Sequence, residues 1–373
     1  MSRFLSLSCQ GFRNLQDNQS IQFAPGLNFF FGNNGSGKSN LIEALHLFSH
    51  SRSFRGAASE QMVKIGEKKF SLFSKIQAEG GKKAQSKLGV SKGIDVDSTL
   101  KVDGYRVLKY SALASQVAVK TLSTERANLL DLSPKYRRQE MDWQMFHVKH
   151  KNLSLLSELA LTLKQKNALL KSQDKSLAEQ VEPWNDKLAR LSVEIQHKRA
   201  ELLEEIKVEF KNLIERQSLN DIKNVSVCIT SGFPKALNLE SKQEIFRFLS
   251  QNLRKEQKFS QSIFGPQRGD LFFHQQDSPD KYAKDFFSRG QKKLISLYFS
   301  LAQVEALKKY GKKSVLCLDD VHSELDNQNF NRLIRLIFSQ DLQCIVTAPI
   351  KSFVAMKKYG KTQQIKDGLV SEL

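Results

Sequence analysis

The run Gly32-Asn33-Asn34-Gly35-Ser36-Gly37-Lys38-Ser39 fits the pattern G-x-x-x-x-G-K-[ST], between the apolar segment Leu27-Asn28-Phe29-Phe30-Phe31 and a helical pattern opening at Lys38 or Ser39. Glycines so spaced let backbone N–H groups converge on phosphate oxygens, and a helix N-terminus adds partial positive charge. Lys38 is then placed to reach the β- and γ-phosphates of ATP, and the Ser39 hydroxyl to ligate Mg2+. The bare pattern arises by accident in about one chain in a hundred of this length. The strand before it and the helix after it make an accident rarer still.

A second group of charges lies 281 positions beyond Lys38, where Val315-Leu316-Cys317-Leu318 reads as a buried strand ending in Asp319 and Asp320. Asp319 suits the metal, directly or through water, and Asp320 suits the positioning of an attacking water. Acidic residues also follow strands merely to cap the next helix, so the pair takes its meaning from the loop. Asp is one methylene shorter than Glu, and slow hydrolysis is expected. Ser288-Arg289-Gly290-Gln291 opens a further helix through Leu294, Leu297 and Leu301. Free N–H groups at such an end suit an anion, although Ser there is equally an ordinary N-cap. The seven histidines form no ligand-spaced cluster.

These residues need elements to hold them. Leu5, Leu7 and Cys9 alternate, as do Ile21 and Phe23, which predicts strands before the loop; Leu41, Ala44, Leu45 and Phe48 give one face of a helix after it. Between about Phe70 and Tyr110 alternation predicts an antiparallel sheet, with a two-residue turn at Asp103-Gly104 and a loop near Gly80-Gly81-Lys82-Lys83. Leucines from Leu153 to Leu170 predict a helix. A second is expected after Pro183, from Trp184 to Leu213, with a near-heptad rhythm broken at Lys198 or Arg199. Paired as an antiparallel hairpin, its longer arm would reach about 45 Å. Strands at Ser314–Leu318 and Gln343–Thr347 and helices at Gly290–Lys308 and Phe330–Phe338 complete an α/β pattern. Residues 1–134 and 256–373 thus form two halves of one α/β domain, with a helical subdomain, 135–255, inserted between them.

Composition sets the partners. The 373 residues carry 58 Lys+Arg against 39 Asp+Glu, a net charge of +19. No apolar run is long enough for a membrane span, and no signal-peptide core follows Met1. The positive excess therefore points to nucleic acid. Without a helix-turn-helix, zinc-finger or RNA-recognition signature, contacts to DNA should be to phosphate, independent of sequence and sensitive to salt. Four scattered cysteines without a C-x-x-C pair suit a reducing, cytoplasmic location.

The phosphate loop ending in Lys38-Ser39-Asn40, the Ser288-Arg289-Gly290-Gln291 stretch, and Asp319-Asp320 followed by Ser323-Glu324-Leu325-Asp326 together resemble the head of an ABC-type ATPase of the SMC group. Phe12-Arg13-Asn14, Ser51-Arg52-Ser53-Phe54-Arg55, Pro134-Lys135-Tyr136-Arg137-Arg138 and Gly265-Pro266-Gln267-Arg268-Gly269-Asp270 narrow the resemblance to the RecF family of bacterial recombination mediators, over nearly the whole chain. Gln267 departs from it, standing where that family usually has His, and His322 lies in a loop where the family varies.

The resemblance implies a P-loop NTPase head that dimerises through ATP. Two subunits would sandwich two nucleotides, with Ser288, Arg289, Gly290 and Gln291 acting on the other subunit's nucleotide and Asp326 near the shared boundary. Thr347 stands where such heads place a γ-phosphate sensor, and also where a plain buried strand end would put a Thr. The family's role implies a weak, DNA-stimulated ATPase in DNA repair, replication, recombination and the SOS response. It would work with RecR and RecO to bring RecA to gapped or damaged DNA. Two other readings compete, a scaffold that binds ATP without turnover and a transporter ATPase subunit. In transporter cassettes the acidic strand follows the loop at a far shorter interval than the 281 positions here.

Overall fold

The computed structural model of the chain describes residues 2–77, 85–124, 128–172, 176–323, 325–349 and 356–373; the expected loop at Gly80-Gly81-Lys82-Lys83 and Glu324 lie outside them. Backbone contacts divide the chain into two units, one of Met1–Asn128 with Arg289–Leu373 and the other of Leu129–Ser288.

The first unit begins with strands β1 (Arg3–Gln10), β2 (Ser20–Gln22) and β3 (Leu27–Phe31), then helix α1 (Lys38–His46). Strands β4 (Lys69–Gln77), β5 (Gln85–Gly93), β6 (Thr99–Val102) and β7 (Tyr105–Val107) follow, then α2 (Tyr110–Ala114) and β8 (Ala118–Ser123). The second unit holds α3 (Pro134–Val148), α4 (Asn152–Leu170), α5 (Leu177–Arg216), β9 (Val225–Ile229), α6 (Lys242–Gln251), α7 (Leu253–Lys258), β10 (Leu271–Gln275), β11 (Ser278–Tyr282) and α8 (Ala283–Phe286). The chain then returns to the first unit through α9 (Arg289–Lys308), β12 (Ser314–Asp319), α10 (Asn327–Phe338), β13 (Gln343–Ala348), β14 (Lys361–Lys366) and β15 (Leu369–Glu372).

In the first unit one sheet runs β15-β14-β3-β13-β12-β8, parallel from β14 to β8 with only β15 antiparallel. Every position of β3, β12 and β13 is buried, as continuous apolar runs require of parallel strands covered on both faces. The other sheet, β2-β1-β4-β5-β6-β7, is antiparallel throughout. Its β6–β7 hairpin turns at Asp103 and Gly104, both at positive φ, with Val102 opposite Tyr105 as the Asp-Gly pair predicts. The expected alternation of Leu5, Leu7 and Cys9 is broken. Register slips between Phe4 and Ser6, so Phe4, Leu7 and Cys9 are buried while Leu5 is only partly so.

The second unit corrects three expectations. Helix α5 begins at Leu177 and carries Pro183 inside it, so the proline does not open the helix; at 40 residues it spans about 60 Å rather than 45. The heptad break at Arg199 is a buried tie: its guanidinium donates to the Pro266 carbonyl at 2.9 Å and to Asp142 Oδ1 at 2.7 Å. Finally, this unit runs from 129 to 288 rather than from 135 to 255. The reason is a small antiparallel sheet, β11-β10-β9, which ties residues 271–282 to β9 by backbone hydrogen bonds. Leu159 of α4 packs with Leu188, Leu191 and Ile195 of α5 and with Ile245 and Leu249 of α6, giving the unit a core of its own.

Candidate nucleotide-binding site

The loop from Gly32 to Ser39 joins the end of β3 to the start of α1. Gly37 caps α1 at φ 112°, a conformation side chains rarely adopt. A Cβ on Gly32 would lie 2.4 Å from the Ile365 carbonyl oxygen and 2.5 Å from Ser36 Oγ, so only glycine lets the chain pass there. Lys38 folds back over the loop, its Nζ donating to the carbonyls of Gly32 and Asn33 at 2.9 Å each. Burial holds the Lys38 ammonium below the usual lysine range, and the carboxylates of Asp320 and Asp319 pull it back up.

Parallel pairing carries the ends of β12 and β13 to the same rim of the sheet as the end of β3. Asp319, last on β12, is hydrogen-bonded by the Ser39 hydroxyl and by Thr347 Oγ1, the latter at 2.9 Å. Burial raises the Asp319 carboxyl above its ordinary range; those two hydrogen bonds and the Arg55 guanidinium lower it again. Asp320 sits in the left-handed region at φ 53°, its N–H donating to Thr347 Oγ1 at 2.9 Å. Among the described residues its Oδ1 is buried without a partner, as is Ser36 Oγ in the loop.

Sequence reasoning gave no role to the side chains that brace the loop. Asn14 donates to the Gly35 carbonyl at 2.9 Å, Asn40 donates to Asn14 Oδ1 at 2.7 Å, and Arg55 donates to Asn40 Oδ1 at 3.0 Å. Behind them Glu43, fully buried on α1, receives Arg13 at 2.9 and 3.1 Å and the Ser53 hydroxyl. The signal was a charged residue inside the apolar stripe of Leu41, Ala44 and Leu45. Asn34, Gly35, Gly37, Lys38, Ser39, Asn40, Phe54, Arg55, Ser123, Thr124, Asp319 and Asp320 line a cleft of about 450 Å³.

Other candidates are not among the residues that line this cleft. Arg289, Gly290 and Gln291 open α9 and are not among its lining residues; Ser288, at the end of the second unit, is exposed, as are Arg289 and Gly290. Asp326 caps α10, its Oδ1 accepting from the Asn329 N–H at 2.8 Å. In the second unit the two quoted motifs meet: Arg137 grips Asp270 at 2.8 and 2.7 Å, and Arg138 donates to the Gly269 carbonyl at 2.7 Å. Gln267 donates to the Phe264 carbonyl at 2.7 Å, and the His322 ring packs edge-on against Phe330.

The cleft's chemistry fits a nucleoside triphosphate with Mg2+. The orphaned Ser36 hydroxyl, a lysine ammonium and a glycine-lined loop suit phosphate oxygens, the open Asp320 Oδ1 suits a water, and the Ser39 hydroxyl beside the Asp319 carboxylate suits a hard cation. Among the described residues no three His, Cys, Asp or Glu side chains group around one point. Mg2+ needs no such cage, since it keeps waters and takes phosphate oxygens. Among the described residues no helix is long and apolar enough to cross a membrane.

Fold and cleft together define an ATPase head of the ABC/SMC type, a class of ATP-binding ATPases. The chain belongs to the RecF/RecN/SMC N-terminal domain family, whose model matches residues 4–368, and within it to the RecF proteins. A relative from Haemophilus influenzae, named DNA replication and repair protein RecF, is 31% identical over 343 residues, 92% of this chain and 91% of the relative. A protein of the same name from Shewanella denitrificans is 29% identical over the same shares. A solved structure of the recombination mediator protein RecF with ATP, in the RecFOR pathway, has a TM-score of 0.85 at 26% identity and covers 100% of this chain and 98% of that one. The Smc head domain of Pyrococcus furiosus, bound to the C-terminal domain of ScpA, shares the fold with a TM-score of 0.58 at 18% identity, over 100% of this chain and 96% of that one. None of these findings supports the transporter reading.

Proposed function

We propose that the protein is a recombination mediator of DNA repair and replication, an ATP-dependent DNA-binding ATPase that dimerises on DNA and helps load RecA at gapped or damaged sites. The observation that carries the nucleotide part is the closure of Ser39 and Thr347 on Asp319 beside Lys38. Asn33, Asn34, Gly35 and Gly37 present backbone N–H groups to the phosphates and Ser36 its hydroxyl; Gly32, whose own N–H donates to the Ala348 carbonyl at 3.3 Å, lets the loop pass, and Lys38 neutralises the β- and γ-phosphate oxygens. Ser39 and Asp319 would hold Mg2+, which would supply charge neutralisation on the transferred phosphate. Asp320 positions the attacking water, and its short side chain keeps hydrolysis slow. Ser288, Arg289, Gly290 and Gln291 close on the partner subunit's nucleotide, with Asp326 at the boundary. That division of labour explains why exposed residues at the start of α9 carry a phosphate-binding composition.

The net charge of +19 supplies the DNA affinity through phosphate contacts. RecR and RecO are the proposed partners, RecA the functional one, and the cytoplasm the proposed location. Phosphate release measured with and without double-stranded DNA tests the switch. A slow basal rate raised by DNA, lost in Asp320→Asn, together with loss of ATP affinity in Lys38→Ala, is the expected result. ATP affinity with no release under either condition would leave the scaffold reading instead.

A further inference from the structure

On the small sheet of the second unit, Cys228 Sγ lies 3.0 Å from Nε2 of His274. The other ring nitrogen, Nδ1, lies 3.0 Å from the main-chain oxygen of Gln275. A carbonyl oxygen only accepts, so Nδ1 carries a hydrogen; in the neutral ring Nε2 is then the lone-pair nitrogen and receives the thiol S–H. The β10–β11 register slips between His274 and Gln275, the kind of bulge that re-aims a side chain. The imidazole is therefore oriented from behind by the strand that carries it.

Access singles out the same thiol. Cys9, Cys317 and Cys344 are buried, whereas Cys228 is partly open to solvent. Burial pushes the Cys9 thiol up to about 11 and raises Cys317 and Cys344 as well, which keeps all three protonated and inert. Cys228 alone joins an open approach to a fixed acceptor for its proton, and neither it nor His274 lines the nucleotide cleft.

We infer that Cys228 and His274 form a nucleophilic thiol site, open to oxidation by hydroperoxides. Nε2 takes the thiol proton, and the thiolate attacks one peroxide oxygen. The S–O bond forms as the O–O bond breaks, and the departing alkoxide or hydroxide recovers the proton from Nε2. Sulfur is oxidised by two electrons to the sulfenic acid, and the hydroperoxide is reduced to an alcohol or water. His274 acts here by moving a proton at Sγ, which a purely structural hydrogen bond would not do.

Iodoacetamide alkylation of the full chain, followed cysteine by cysteine by peptide mass spectrometry, tests the assignment. At pH 7 Cys228 should react about tenfold faster than in His274→Gln. Dilute hydrogen peroxide with dimedone should label Cys228, and the label should vanish in Cys228→Ser. An unchanged rate in His274→Gln would overturn the assignment, as would the absence of a dimedone adduct. The dimedone adduct is read on the unaltered protein, so poor folding of a variant does not blunt the test.

Discussion

Thr347 donates its hydroxyl to Oδ1 of Asp319 across 2.9 Å, from the strand next to the one that ends in that carboxylate. Thr347 Oγ1 in turn accepts the Asp320 N–H at 2.9 Å. One buried side chain near the end of its strand thus fixes both acidic residues. Thr347→Val keeps the shape but leaves the Asp320 N–H without its partner, at a cost of about 1–3 kcal/mol. Denaturant unfolding should register that loss. ATP binding in the presence of Mg2+ should weaken in Thr347→Val and be restored in Thr347→Ser. Equal nucleotide affinity in all three would remove Thr347 from the site.

Asp319 also gives a prediction with a defined sign. Burial is the largest influence on its carboxyl and raises it above the unfolded value. The folded, nucleotide-free protein therefore holds the proton more tightly than the unfolded chain does. This contribution to stability is complete below the unfolded carboxyl pKa, about 3.9, and is lost as pH rises through the folded value. At neutral pH the ionised Asp319 is a cost that bound Mg2+ would offset. Asp319→Asn should raise the melting temperature of the nucleotide-free protein at pH 7.5, with the gain shrinking toward pH 4, while Mg2+-dependent ATP turnover is abolished. Calorimetry across that range gives the answer; destabilisation at neutral pH would contradict it.

Ser288 lies exposed just before α9, where a larger side chain can turn to solvent. Ser288→Arg should therefore fold and bind ATP normally yet remain a single copy with ATP and DNA present. Light scattering should find the native protein doubling its mass under those conditions. A variant that also doubles would sink the role proposed for the start of α9.

Local spacing made the loop and the acidic strand end legible, because phosphate chemistry demands fixed residue types within eight consecutive positions. Short, largely apolar runs made β3, β12 and β13 legible as strands, whereas their parallel pairing emerged only from the fold. What stayed hidden depends on tertiary proximity. The relay from Arg55 through Asn40 and Asn14 to the Gly35 carbonyl joins residues 15, 26 and 21 positions apart. Nothing in sequence order links them. Arg199 looked like a flaw in a heptad because its acceptors, Pro266 and Asp142, lie 67 and 57 positions away. The β14–β15 hairpin was missed although Asp367-Gly368 repeats the Asp-Gly turn of β6–β7, since its strands carry few apolar residues to mark their period.

The second unit contains an ion pair that sequence could not foresee, Lys166 on α4 with Glu256 on α7, 2.6 Å apart and both without solvent exposure. Burial lowers the Lys166 ammonium and Glu256 draws it back up. Glu256 also accepts the Ile263 N–H at 3.0 Å, so its carboxylate fastens the chain where it leaves α7. Removing one partner strands the other charge away from water, which costs about 3–5 kcal/mol, whereas replacing both with groups of similar volume can be nearly neutral. Lys166→Met should lower the urea midpoint sharply. Adding Glu256→Gln to it should recover most of the loss, because the amide can still accept the Ile263 N–H without carrying charge. If the double variant is as unstable as the single one, Glu256 matters for its charge elsewhere and the pair is not the reason both residues are buried.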